Sequence, residues 1–207
     1  MAIKCKESAR AYKIDPKALS RLSHNNLVCL LGYCEDSIKP IWVYEYMKNG
    51  SLHDHLHKLQ SSPLMLSWAT RIKVALDAAK GIEYLHVHAV KPIRHRNIKS
   101  SNILLDAMWT AKLSDFGHVK PPVVDEVEHF SDLVEMGSLD YMDPGYKRHL
   151  NVQLTTKTDV YSFGVVLLEM LSGYRAININ GNEELQTTSP KKNLQGFGPK
   201  STTTYPI

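Results

Sequence analysis

The sequence lacks the features that mark secreted, membrane-spanning and nucleic-acid-binding proteins. Its 3 cysteines, Cys5, Cys29 and Cys34, have no framework spacing, which indicates reduced thiols in an intracellular compartment. The net charge of +4 is spread along the chain without a Lys/Arg block, which argues against a nucleic-acid partner. The most apolar segment, 160–171, carries Glu169 and is shorter than the roughly 18 residues that a membrane span needs.

The N-terminus has no apolar run that could act as a signal peptide, so we expect a cytoplasmic protein. Met1 already belongs to the apolar alternation of "MAIKC", which predicts a strand cut short at its start. The polar segment after residue 175 is poor in large apolar groups, which predicts a disordered tail over 176–207.

The remaining sequence predicts a strand-rich part followed by a helical part. "LVCLLGYCED" and "KPIWVYEYM" indicate an antiparallel strand pair, and "NGSLHDHLHKL" indicates a helix capped by Ser51. "SNILLD" and "AKLSDF" are typical of short strands, and an apolar helix is predicted from about residue 158 to 171. A long buried helix is predicted from a periodic apolar stripe: Trp68, Ile72, Ala75, Leu76, Ala79, Ile82 and Leu85.

Four stretches in this order resemble the signature set of protein kinases: "AIK" (2–4), "HRNIKSSN" (95–102), "DFG" (115–117) and "GSLDYMDPGY" (137–146). Together with "TKTDVYSFGVVLLEMLSG", they resemble plant receptor-like serine/threonine kinases of the Crinkly-related branch. The resemblance covers residues 1 to about 175. It implies an α+β, protein kinase-like two-lobed fold, with a truncated N-lobe over 1–47 and an incomplete, mainly helical C-lobe over 48–175.

The resemblance also implies ATP and Mg²⁺ as cofactors. Lys4 would pair with the α- and β-phosphates, and Lys99 would stabilise charge on the transferred phosphoryl group. Asp115 and Asn102 would hold magnesium through oxygen atoms, the ligands that this ion prefers. Asp159 resembles the aspartate that anchors the backbone of the catalytic loop.

Further family roles fall on the strand before residue 48 and on the loop hydroxyls. Tyr44 resembles the gatekeeper, and the backbones of Glu45 and Met47 resemble the hinge that meets adenine. The alternative is that "WVYEYM" is a buried strand without a ligand role. The family's regulatory set falls on Arg96, which would grip a phosphorylated activation segment, and on the nearby hydroxyls Ser131, Ser138 and Tyr141.

The sequence departs from the family most seriously at Asn97, where the family has its catalytic aspartate. An amide has almost no basicity, and a general base typically contributes roughly 10²- to 10⁴-fold to the rate. The glycine-rich phosphate loop has no counterpart before Lys4, so we expect weakened ATP binding. The glutamate that should pair with Lys4 aligns best with Asp15, and Gly145 replaces a structural glutamate.

Three functions follow from this combination. The first is a catalytically impaired kinase-like domain that acts in signalling as a nucleotide-binding or regulatory module. The second is a weakly active ATP-dependent serine/threonine kinase, and the third is a degenerate fragment without function. We expect the apolar helix of the incomplete C-lobe to be covered by a protein partner, such as a receptor-like kinase at the inner face of the plasma membrane.

Two smaller patterns have alternative interpretations. His53 and His57 share a helix face while His55 points away, and the prediction is a solvated surface, with a metal site as the alternative. Cys29 and Cys34 are predicted to be packing thiols, with a zinc or redox pair as the alternative. His86 and His88 are predicted to interact with the negative end of the long helix.

Overall fold

The structure is a computed structural model that describes residues 3–7, 19–34, 41–59, 62, 67–119, 128–129, 139–144, 151–152 and 155–176. For 3–7, 128–129 and 151–152 only the backbone is described. Three antiparallel strands form the strand-rich part: β1 (Ile3–Glu7), β2 (Leu30–Cys34) and β3 (Ile41–Glu45), in the order β1-β3-β2. The predicted strand pair, β2 and β3, is confirmed.

Within the described residues, the helical part includes three α-helices. They are α1 (Leu52–His57), α2 (Trp68–Glu83) and α3 (Thr156–Ser172). The Ser51 side chain accepts a hydrogen bond from the backbone N–H of Asp54, which confirms the predicted cap of α1. A π-helical turn (Tyr84–His88) extends α2, and Gly173 ends α3 at a φ of +74°.

Short strands and turns connect these helices. The antiparallel strands β4 (Ile103–Leu105) and β5 (Ala111–Leu113) form a hairpin, and β6 (Glu128–His129) pairs with β7 (Asn151–Val152). Single 3₁₀ turns occur at Ser100–Asn102, Phe116–His118 and Leu139–Tyr141. The architecture is thus α+β, with a small sheet followed by a helical part, as the sequence predicts. No helix among these elements is both long and apolar enough to cross a bilayer.

The buried face of α2 differs from the prediction. Trp68, Ile72 and Leu76 are 44%, 53% and 52% exposed. The residues that α2 buries are Val74, Asp77, Ala78, Gly81 and Ile82. This face is built of smaller side chains because it packs closely on β5 and on the segment before β2. An added Cβ at Gly81 would lie 3.1 Å from Leu113 Cδ1 and 2.7 Å from the carbonyl oxygen of Asn26. The predicted stripe was therefore wrong in its first half.

The core joins the two parts of the molecule. Its members come from the strands, from α1 to α3 and from the catalytic loop; the fully buried ones include Leu52, Val74, Leu85, Ile103, Leu105, Ala111, Leu113 and Val166. Backbone hydrogen bonds from Val28 N to Leu113 O (2.8 Å) and from Leu113 N to Asn26 O (2.9 Å) tie the segment before β2 to β5. These contacts fix the hairpin that carries the catalytic loop on one side and Asp115 on the other.

Candidate functional site

The catalytic loop (95–102) is held by one buried carboxylate on α3. Asp159 accepts hydrogen bonds from the backbone N–H of His95 and of Arg96, both at 2.8 Å. His86 Nε2 lies 2.8 Å from Oδ2, the carboxylate oxygen that also accepts the backbone N–H of His95. Asp159 is therefore the anchor that the resemblance implied, and His86 contacts this carboxylate rather than the end of its own helix.

His95, the first residue of the loop, is a neutral buried side chain. Burial lowers its pKa, and this effect outweighs the opposing effect of the charges on Asp159 and Asp115. Nε2 lies 3.0 Å from the carbonyl oxygen of Ser114, and Nδ1 accepts the backbone N–H of Asn97 at 3.3 Å. The proton of the neutral ring is therefore on Nε2. The His95 ring also contacts Phe116, with 5.5 Å between centroids.

These contacts bring Asn97, Asn102 and Asp115 together. Asn97 Nδ2 donates to Asp115 Oδ2 at 2.9 Å, and Asn102 Nδ2 donates to the backbone oxygen of Asn97 at 2.8 Å. Asp115 is held in a left-handed conformation, at φ +68° and ψ +58°, which a non-glycine residue adopts only where its surroundings enforce it. Asn97 is 3% exposed, so its amide is a fixed part of this cluster.

The cluster offers the donor set of a magnesium site. Mg²⁺ is usually held by one or two carboxylates together with waters and substrate phosphates. The Asp115 carboxylate supplies the charge, and the Asn102 side chain has an amide oxygen as a second hard donor, while its nitrogen donates to the backbone oxygen of Asn97. The chemistry of these residues therefore fits the ion. The Asn97 amide, however, donates to Asp115 Oδ2, one of the two oxygens of the carboxylate that would hold the ion.

Two loop residues, Arg96 and Lys99, form hydrogen bonds that the sequence did not predict. Arg96 has a φ of +68°, and its Nη1 donates to the carbonyl oxygen of His118 at 3.1 Å. Lys99 precedes the 3₁₀ turn at Ser100–Asn102, and its carbonyl accepts the backbone N–H of Asn102 at 2.9 Å. Ser131, Ser138, Asp15 and Gly145 lie outside the described residues.

The strand β3 carries the predicted hinge. Tyr44 pairs with Lys4 of β1 in the strand register and packs half-buried against the core; the Lys4 side chain lies outside the described atoms. The Met47 carbonyl accepts the backbone N–H of Gly50 at 3.2 Å. The Glu45 side chain, which sequence reasoning missed, binds Lys112 Nζ at 2.8 and 3.0 Å and the backbone N–H of Cys29 at 2.8 Å. This contact holds β3 against β5.

A second polar cluster lies where α1 meets α3. The Tyr141 hydroxyl donates to Glu169 Oε2 at 2.8 Å and lies 3.0 Å from Ser100 Oγ, so it belongs to a hydrogen-bond network. Burial raises the pKa of Tyr141, and Glu169 adds to the increase. His57 Nε2 lies 3.1 Å from Glu169 Oε1, with the two side chains only 4% and 2% exposed. The predicted solvated surface is therefore wrong for His57.

Two other histidine and cysteine predictions need correction. His55 is buried, and its ring nitrogens lie 2.7 Å from Ser62 Oγ and 2.6 Å from the Asn49 carbonyl oxygen. Cys29 and Cys34 are exposed free thiols rather than packing residues. The one sequence signal for this cluster was Glu169 itself, the single charged residue of the apolar segment 160–171.

Comparisons with known proteins agree with the motifs. Residues 3–197 match the protein tyrosine and serine/threonine kinase family.

The chain is 58% identical over 175 residues to the Arabidopsis thaliana "Serine/threonine-protein kinase-like protein CCR4", covering 84% of this chain and 23% of the relative. "Putative serine/threonine-protein kinase-like protein CCR3" is 51% identical over 187 residues, 87% of this chain and 23% of the relative. "Probable serine/threonine-protein kinase PBL25" is 52% identical over 172 residues, 83% of this chain and 44% of the relative. Both of these relatives are also from Arabidopsis thaliana. The chain thus spans about a quarter of the length of the first two.

Proposed function

Because the chain belongs to the protein tyrosine and serine/threonine kinase family, we propose that it is a nucleotide-binding module with strongly impaired phosphoryl transfer that acts in signalling. The observation that carries the proposal is the 2.9 Å hydrogen bond from Asn97 Nδ2 to Asp115 Oδ2. Asn97, which occupies the position of the family's general base, thus donates an N–H group to Asp115. A donor cannot take the proton of a substrate hydroxyl.

The remaining groups of the cluster support binding. Bound Mg-ATP would supply the transferable phosphoryl group, with its charge partly neutralised by the ion. Asp115 and Asn102 would hold the ion through oxygen, and Asp159 keeps the loop in place through His95 and Arg96. Lys99 and Lys4 would face the phosphates. We propose that binding is weaker than in kinases that have the catalytic aspartate, since the Asn97 amide occupies one oxygen of the Asp115 carboxylate.

A weakly active serine/threonine kinase is the second candidate. The anchored loop favours it, because positioning and electrostatic stabilisation accelerate transfer without a base. A degenerate fragment is the third candidate, and it would show neither nucleotide binding nor cooperative unfolding. These three candidates differ in measurable ways.

The test combines nucleotide binding with transfer of labelled phosphate from Mg-ATP to a generic protein substrate. Three chains are compared: the parent, Asn97→Asp, and Asp115→Asn as the metal-site control. We expect the parent to bind nucleotide in a Mg-dependent way. Asn97→Asp should transfer phosphate at a rate roughly 10²-fold or more above that of the parent. Asp115→Asn should show neither nucleotide binding nor phosphate transfer. Transfer by the parent that Asp115→Asn abolishes would establish the second candidate instead. Absence of nucleotide binding in all three chains would contradict the proposed nucleotide-binding function.

We further propose that the module acts in the cytoplasm against a protein partner, such as a receptor-like kinase at the inner face of the plasma membrane. Support comes from α3, where Val160, Leu168 and Leu171 are exposed at helical spacing. Large apolar side chains in one exposed stripe are typical of protein interfaces.

A further inference from the structure

Three side chains from two helices converge at the junction of α1 and α3. His53 and His57 lie one turn apart on α1, and their ring centroids are 4.8 Å apart. Glu169, which follows His57 by 112 residues in the sequence, reaches them from α3. One potential ligand atom from each of the three lies within 4.8 Å of the other two. Two imidazoles and a carboxylate are a donor set that transition metals use.

Glu169 is a buried carboxylate held in place by hydrogen bonds. It is 2% exposed. Oε1 lies 3.1 Å from His57 Nε2 and accepts the backbone N–H of Ala176 at 3.1 Å, and Oε2 accepts the Tyr141 hydroxyl at 2.8 Å. The carboxylate is therefore fixed in position beside the histidines of α1.

The separations suit a small tetrahedral ion. Zinc bonds to nitrogen and oxygen are about 2.0–2.1 Å long, so two ligands at the tetrahedral angle lie roughly 3.4 Å apart. His57 Nε2 and Glu169 Oε1 are already 3.1 Å apart. His53 is half-buried, and its Nδ1 lies 3.3 Å from Ser100 Oγ. Its ligand atom lies within 4.8 Å of the other two, so zinc binding requires a rotation of this side chain toward His57 and Glu169.

We propose that His53, His57 and Glu169 form a Zn²⁺ site, with water in the fourth position. The ion replaces the hydrogen bond between His57 Nε2 and Glu169 Oε1, and the proton on that nitrogen moves to Nδ1 of the same ring or to solvent. Imidazole ligands favour zinc over magnesium, which prefers oxygen alone. The site is separate from the Asn97 cluster and does not rest on nucleotide binding. It has a consequence for the loop, because zinc takes His53 away from Ser100, the residue next to Lys99. Zinc thus couples α1 to the catalytic loop.

The test uses the untagged, metal-free full chain, titrated with ZnCl₂ by calorimetry and with CoCl₂ by visible absorption. We expect one ion per chain and the intense cobalt bands of a tetrahedral site. His53→Gln should weaken zinc binding by at least about tenfold, because even indirect supports of a ligand typically contribute 10- to 100-fold. His88→Gln is the matched control: His88 is exposed and lies outside the cluster, so binding should match the parent.

A second measurement does not depend on a variant. The imidazole proton resonances of His53 and His57 in the parent should shift on addition of one equivalent of ZnCl₂, while that of His88 should not. Parent protein that unfolds cooperatively but binds no zinc would overturn the proposal. So would equal zinc affinity in His53→Gln, or resonance shifts confined to other histidines.

Discussion

At the scale of single residues, Asp159 organises the catalytic loop. It is 1% exposed, yet both carboxylate oxygens have donors: His95 N and His86 Nε2 on Oδ2, and Arg96 N on Oδ1. Burial would raise its pKa, but the hydrogen bond from His86, the nearby His95 and the two backbone donors lower it below the usual 3.8. A buried charge is tolerated here because each oxygen is satisfied.

Replacing Asp159 should therefore cost considerable stability. In Asp159→Asn one oxygen becomes an NH₂ group that faces a backbone N–H donor, so a buried donor loses its acceptor. We expect the free energy of unfolding at pH 7 to fall by about 3 kcal/mol, measured by urea denaturation. Asp54→Asn is the control: Asp54 pairs with Lys58 at the surface, where such pairs contribute less than about 1 kcal/mol.

The same variant predicts a pH dependence. Because the folded pKa of Asp159 lies below 3.8, its contribution is fully present above about pH 4 and is lost as the pH falls through the folded value. The difference in stability between the parent and Asp159→Asn should therefore narrow below about pH 4. A difference that stays constant down to pH 2 would contradict the role of the Asp159 charge.

The sequence predicts some of these residue contacts and misses others for a physical reason. The grouping of Asn97, Asn102 and Asp115 follows from motif order, since a short hairpin joins the two segments. Glu169 and His57 are 112 residues apart, and no local pattern links them. Their contact depends on how α1 and α3 pack. The hydrogen bond from Asn97 to Asp115 likewise could not be predicted from the sequence, because a side-chain amide can either donate or accept.

At the scale of elements, α2 shows where periodicity is insufficient. The helix has large apolar residues on one side, including Ile72 and Leu76, and small ones with Asp77 on another. Its length and position were predictable, because its apolar residues recur with helical spacing. The side that packs was not, since close approach to Asn26 and Leu113 selects small side chains over large ones.

Two glycine substitutions test this close packing. At Gly81 a Cβ would lie 2.7 Å from Asn26 O and 3.1 Å from Leu113 Cδ1, whereas at Gly164 in α3 it would meet nothing within 4 Å. Alanine should stabilise an open helical site by about 0.5–1 kcal/mol. We expect Gly164→Ala to show this gain and Gly81→Ala to lose about 1–3 kcal/mol through overpacking. Urea denaturation of both variants checks the opposite signs, and a gain at Gly81 would show that α2 lies farther from β5.

At the scale of the whole molecule, the sheet is tied to the helical part by a few polar contacts. Lys112 of β5 binds Glu45 at 2.8 Å, and Asn26 Nδ2 donates to the Ala111 carbonyl oxygen at 2.9 Å. Both contacts converge on the β4–β5 hairpin, between the catalytic loop and Asp115. The strand-rich part therefore helps to hold the hairpin that positions the catalytic loop and Asp115.

The apolar stripe on α3 supplies the last prediction. Val160, Leu168 and Leu171 are 53%, 63% and 55% exposed, and their spacing places them on one face with Gly164. We expect the isolated chain to self-associate as its concentration rises. Leu168→Gln with Leu171→Gln should raise the concentration of half-association at least about tenfold, since burying each leucine is worth roughly 1.5–3 kcal/mol.

Light scattering over a concentration series measures this association, with unfolding curves recorded in parallel. The double variant should keep the parent's stability to within about 1 kcal/mol, because both side chains are already exposed. Met108→Gln is the matched control, since Met108 is 79% exposed and belongs to the turn between β4 and β5 rather than to α3. If the parent stays monomeric throughout, or if Met108→Gln has the same effect as the double variant, the stripe is not the associating surface. Dependence on the α3 stripe alone would instead identify the face on which a partner is to be sought.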